Sequence, residues 1–181
     1  MLWLSILIAV FTASILSSAS PTTAQDAKTR SEILSSLKLD DFGFVHFADD
    51  GVARSYAGNG TVIDYAPLTN EYLMETAQVN RPFISNQSYQ HLLEVWDGVD
   101  GHNVTFPEQI FDPPASIRPP ASDFTQSPDQ SEAAVSGAED LNVRQFACVG
   151  TRCRYSRNCR IAGCNGCGKL DLTIKEFICY I

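Results

Sequence analysis

The chain has 181 residues, a formal net charge of −8 and 44% apolar residues. That length allows one ordinary domain, or a small domain with an appendage, and excludes a long array of domains. The acidic balance argues against nucleic acid as a partner, because a phosphate backbone is bound by clustered Lys and Arg.

Residues 1–24 read as a secretory signal peptide. An apolar run from Leu2 to Phe11 is followed by small polar residues. The run is too short to cross a bilayer of about 30 Å as a helix. Small residues at −3 and −1 permit cleavage after Ala19 or after Ala24. No later stretch has the length and hydropathy of a transmembrane segment, so a secreted, extracellular, monomeric protein is expected. Three N-glycosylation sequons, at Asn59, Asn86 and Asn103, agree with passage through the secretory route.

Residues 25–111 form an acidic, cysteine-free region expected to be a small α+β unit or pro-region. Thr29 is a plausible cap for a short helix over 29–39, with Ile33, Leu34 and Leu37 on one face. A strand-like run covers 42–48. Turns at Asp49-Asp50-Gly51 and Gly58-Asn59-Gly60 lead into Val52–Tyr56 and Thr61–Tyr65, which predicts a three-stranded antiparallel meander. Helices are predicted from Thr69 and from Asn86 to Trp96, the second stopped by Gly98. Pro107 opens a last turn. The expected core is Phe42, Phe44, Phe47, Val62, Ile63, Tyr65, Leu73, Leu92, Leu93 and Trp96, and without a disulfide it would be marginal.

Residues 112–144 hold Pro113, Pro114, Pro119, Pro120 and Pro128 among Ser, Ala, Gln and Asp. Such a composition predicts a disordered, flexible linker. It ends at Leu141-Asn-Val-Arg144.

Residues 145–181 contain every cysteine: Cys148, Cys153, Cys159, Cys164, Cys167 and Cys179. Behind a signal peptide, six clustered cysteines read as a disulfide framework. They allow 15 connectivities. About 37 residues cannot hold a fold by burial alone, so a disulfide-stapled miniature domain is expected, with a last strand between Leu170 and Ile181. Charge changes sign here. Gln25–Arg144 holds 7 Lys/Arg against 19 Asp/Glu, net −12; Gln145–Ile181 holds 6 against 2, net +4. The acidic part would mask the basic part while the two stay joined, or the whole is one acidic protein with a mixed surface. Arg152, Arg154, Arg157 and Arg160 form a candidate binding patch, suited to an acidic protein or an anionic surface.

No enzyme, metal or cofactor is expected. There is no G-x-S-x-G, H-E-x-x-H or phosphate-binding glycine loop. His46 sits in an apolar strand and reads as a satisfied core histidine. His91 lacks a ligand partner at helical spacing, and His102 offers no motif. Asp97 and Glu108 stand at the first and twelfth positions of an EF-hand loop, but Val99 and Gly101 fill ligand positions and His102 fills the glycine position. Cys164-Asn-Gly-Cys167 lacks the second pair that a zinc site needs.

The layout resembles that of small secreted cysteine-rich, effector-like proteins of filamentous fungi. Some of these carry a pro-domain ending in an L-x-x-R site for a kexin-type protease, which Leu141 to Arg144 matches. The tail spacing is similar to that of inhibitor cystine-knot peptides (knottins), and this resemblance implies the pairs Cys148–Cys164, Cys153–Cys167 and Cys159–Cys179. It implies a secreted effector or toxin-like protein whose tail binds an extracellular or host target. Two alternatives are the pro-form of a cationic antimicrobial peptide and a knottin-type protease inhibitor using Arg152 or Arg154.

Overall fold

A computed structural model describes residues 28–124, 148 and 150–181. The expected signal peptide and the Leu141–Arg144 site lie outside the described residues.

The middle region starts as its local signals dictate. Helix α1 (Arg30–Ser35) opens with a capping box: Glu32 N donates to Thr29 Oγ1 at 3.3 Å, and Thr29 N donates to Glu32 Oε2 at 2.7 Å. It stops short of the expected residue 39, and the hydroxyls of Ser35 and Ser36 bond back to the carbonyls of Glu32 and Ile33. Strands β1 (Phe44–Phe47), β2 (Val52–Tyr56) and β3 (Val62–Pro67) form the expected meander. Helices α2 (Asn70–Asn80) and α3 (Asn86–Val95) are capped by the side chains of Thr69 and Ser85, and Pro107 opens α4 (Pro107–Phe111).

The cysteine segment shares this sheet. Its helix α5 (Ser156–Ile161) leads to β4 (Gly166–Lys169) and β5 (Phe177–Tyr180). The strand order is β3-β2-β1-β4-β5. All neighbours are antiparallel except β1 and β4, which run parallel with Val45 opposite Gly168 and His46 opposite Lys169. The expected separate miniature domain is thus two strands of one five-stranded α+β fold. Strand β4 reads Gly-Cys-Gly-Lys, which has little strand propensity. Its glycines serve a close approach: a Cβ on Gly166 would lie 2.7 Å from Tyr180 Oη and 2.8 Å from Leu39 Cδ1.

Each sheet face has its own cover. On one side Val45, Phe47, Ala53, Ile178 and Tyr180 pack with Leu34, Leu73, Leu92 and Trp96 of the helical side, and with Leu170 and Ile174 of the β4–β5 connection. On the other, Phe44 and Tyr56 pack against the cystines. Covering on both sides explains why β1 and β2 are buried at every position. Three expected core residues are instead exposed: Phe42, Ile63 and Tyr65, at 40%, 37% and 37%. Ile63 and Tyr65 lie on the edge strand β3, while Phe42 precedes β1 and meets the Tyr155 ring edge-on. Val62 and Leu93 are half-buried against the clusters.

The disulfides are Cys148–Cys164, Cys153–Cys167 and Cys159–Cys179, with Cα separations of 5.4, 5.9 and 5.5 Å. This is the order that the knottin resemblance implies. The sulfurs of Cys153, Cys159 and Cys167 gather closely, but each is in a disulfide and offers no thiolate to a metal.

The first part of the expected linker has a defined course. Within 112–124 Pro113 and Pro119 are buried, while most other positions are exposed. Phe124 stacks on Phe44 at 5.3 Å and tilts against Tyr56 at 5.3 Å, while Asp123 reaches Lys169 at 3.1 Å. Prolines lose little further backbone freedom on ordering, which lowers the cost of holding this stretch. The rest of the expected linker, residues 125–144, lies outside the described residues.

Candidate binding surface

The tail builds a groove of about 380 Å³ where it meets the 112–124 segment. Ser122, Asp123 and Phe177 line it, and Arg152, Arg154 and Lys175 supply its positive charge. The backbone fixes these positions. Cys153 N donates to Phe177 O at 3.1 Å, and Cys179 N to Thr151 O at 2.8 Å, so residues 151–153 cover the outer edge of β5. The Cys153–Cys167 disulfide fastens the same stretch to β4.

The four expected arginines are all exposed, but they do not form one patch. Arg152 and Arg154 line the groove, and Arg152 lies 3.9 Å from Glu176. Arg157 and Arg160 sit on α5, where Arg160 pairs with Asp41 of the acidic region. Lys175 and Phe177 were not anticipated from the sequence, and nothing in their local pattern marks them. The sequon asparagines Asn59, Asn86 and Asn103 are each exposed, on a turn, a helix start and a 3-10 turn.

A basic row lies behind the groove. Register places Arg54, His46 and Lys169 side by side across β2, β1 and β4, all buried. Arg54 holds both oxygens of Asp50, at 2.9 and 2.6 Å, and donates to the carbonyls of Gln109 and Ile110 at 2.9 Å each. Lys169 is held by Asp123, by Ile174 O at 3.3 Å and by the Phe177 ring, 4.7 Å from its ammonium. His46 is buried as expected, yet neither ring nitrogen has a hydrogen-bond partner. Burial, reinforced by the charge on Lys169, pushes its imidazole down to about 3, so it is neutral near pH 7. No local sequence pattern marks Lys169 or Arg54 as buried.

A third cluster joins segments far apart in the chain. His91 Nε2 lies 3.2 Å from Asp171 Oδ1, a partner 80 residues away and so invisible to helical spacing. Asp49 shares the site. Burial, then its hydrogen bond to Asp171 and the charge there, pushes the Asp49 carboxyl up to about 6. Burial also opposes ionisation of Asp171, but the hydrogen bonds from Thr173 Oγ1 and N outweigh it and hold that carboxyl below the usual range. Asp50 faces the pair from the same turn. Because the Asp49 value is raised on folding, its contribution is complete below the ordinary 3.8 and is lost as pH rises through about 6. Asp171 acts oppositely, losing its contribution as pH falls below the ordinary carboxylate range. An Asp49→Asn variant keeps a donor toward Asp171 and cannot ionise. Its melting temperature should match wild type at pH 4 and exceed it at pH 7.5; a constant difference across that range would refute the shared proton.

The fold and surface define a small α+β protein with a three-disulfide, cationic tail. Comparison with curated proteins gives a relative in the fungus Emericella nidulans, named "Lactobacillus up-regulated protein", 38% identical over 151 residues. The match covers 83% of this chain and 82% of that protein, and the chain belongs to its family. No family model matches the chain, and no solved structure matches it.

Proposed function

We propose that the protein is a secreted, effector-like binding protein whose disulfide-stapled, cationic tail engages an extracellular protein target. The observation that supports this most is the groove between the tail and residues 122–123, with Arg152, Arg154 and Lys175 at its rim and a cystine in its wall. Three disulfides belong to an oxidising compartment. Among the described residues no helix is long and apolar enough to cross a membrane, and neither Arg154 nor Lys175 has an ion-pair partner. Exposed cations without carboxylate partners attract acidic surfaces, with a strength that falls as salt screens them.

The test has two parts. The intact mass of protein from culture supernatant, after removal of N-glycans, should rise by about six units on reduction, as three disulfides require. Retention of the chain on immobilised polyglutamate should fall at least tenfold in apparent affinity in the Arg152→Glu, Arg154→Glu, Lys175→Glu variant, and should weaken with salt. A protein that stays inside the cell with free thiols, or unchanged retention in the variant, would sink the reading. Inhibition of trypsin lost on substituting one arginine would favour the inhibitor alternative.

A further inference from the structure

The chain from Gln109 to Phe124 crosses the face that carries the basic row. It begins with carbonyls on Arg54 and ends with Asp123 on Lys169 and Phe124 against both Phe44 and Tyr56. Its end is a self-contained turn: Asp123 N donates to Pro120 O at 2.9 Å and Phe124 N to Ala121 O at 3.1 Å. The fit beneath it is good for the ring and poor for the polar atoms. Asp123 Oδ2 is ion-paired to the Lys169 ammonium at 3.1 Å. Both ring nitrogens of His46 and the Tyr56 hydroxyl, on the same face, are buried without hydrogen-bond partners. Buried polar groups are nearly always paired, so a face with several unpaired ones is poorly matched to what covers it.

We propose that this face is a peptide-docking site held in cis by Asp123 and Phe124, whose partner in trans is an acidic protein segment carrying a carboxylate beside an aromatic side chain. The chemistry of the occupant follows from what receives it. The Lys169 ammonium calls for a carboxylate, and the box of Phe44, Tyr56 and Phe177 calls for a ring. The adjoining groove, where Arg154 and Lys175 stand beside the Arg152–Glu176 pair, takes further acidic residues of the same segment. The inference rests on the binding role proposed above and names the class of partner. A partner that reproduces the Asp-Phe pair and satisfies more of the buried polar atoms displaces the strap.

The probe is a dye-labelled peptide of residues 118–126, titrated by fluorescence anisotropy into the full secreted chain and into its Asp123→Ala, Phe124→Ala variant. The peptide should bind the variant at least tenfold more tightly than wild type. Exchanging the aspartate of the peptide for asparagine, or its phenylalanine for alanine, should each cost about tenfold. Equal binding to the two proteins, indifference to the peptide exchanges, or capture of phosphatidylserine vesicles without the peptide would overturn the proposal. So would a variant unable to form its three disulfides, since the strap would then be an obligate part of the fold. Loss of polyglutamate retention in the groove variant alongside a failed peptide titration would leave the binding role standing and remove only the docking site.

Discussion

Deleting residues 145–181 should unfold the rest of the chain, and cutting after Arg144 should leave the two pieces together. The tail supplies β4 and β5, and with them Leu170, Ile174, Ile178 and Tyr180 of the main core. Removing one buried Leu or Ile side chain costs about 2–5 kcal/mol. Losing several at once equals or exceeds the whole stability of an ordinary domain, about 5–15 kcal/mol. Strand β1 would also lose its parallel partner, and the backbone of Asp41 and Gly43 would lose the hydrogen bonds from Arg157 N at 2.9 Å and Ser156 N at 2.8 Å. A nick in the connecting stretch breaks none of these. The two fragments should therefore co-elute on size exclusion and separate only in strong denaturant. A truncated chain that melts cooperatively, or a tail that leaves on nicking, would restore the picture of a pro-region that liberates a peptide. Masking of the basic tail by the acidic region is thus expected to persist after processing, because one sheet runs through both.

Replacing Arg54 by Ala should destabilise the protein by about 3–5 kcal/mol, the usual cost of removing one partner of a buried charge pair. The guanidinium has 0% exposure and satisfies Asp50 in a forked contact together with two carbonyls of the last turn of α4. A helix C-terminus leaves such carbonyls without partners, and a cation there also meets the negative end of the dipole. Arg54→Lys should recover little, since an ammonium cannot span the fork. Asp50→Asn should cost less, because Asp50 keeps some contact with water. Urea titration checks this through the midpoint with an unchanged slope. A loss below about 1 kcal/mol for Arg54→Ala would show that α4 is fastened mainly by its apolar contacts, in line with the small value of surface pairs.

Local patterns carried much of the architecture. The meander was readable because Phe44–Phe47 and Val52–Tyr56 are flanked by Asp-Gly and Asn-Gly turns, and both Gly51 and Gly60 take positive φ. The helix starts at Thr29, Thr69 and Ser85 are capped by side chains close in sequence. Six clustered cysteines are a compositional signal for disulfides, and they form three. The arginines were recognisable as exposed cations, but not as two groups, because Arg160 finds Asp41 from more than a hundred residues away.

Local signals thus account for three strands in a meander, capped helices, a stapled tail and a change in charge along the chain. Long-range contacts settled that tail and middle region are one sheet, that Lys169 and Arg54 are buried, that His91 meets Asp171, and that Asp123 meets Lys169. Each of these is a contact between positions distant in the chain. Strand pairing and burial of charge depend on which faces meet, and short-range propensity holds no information about that: Gly-Cys-Gly-Lys becomes a central strand because its glycines admit Tyr180 and Phe47, a property of the neighbours and not of the segment.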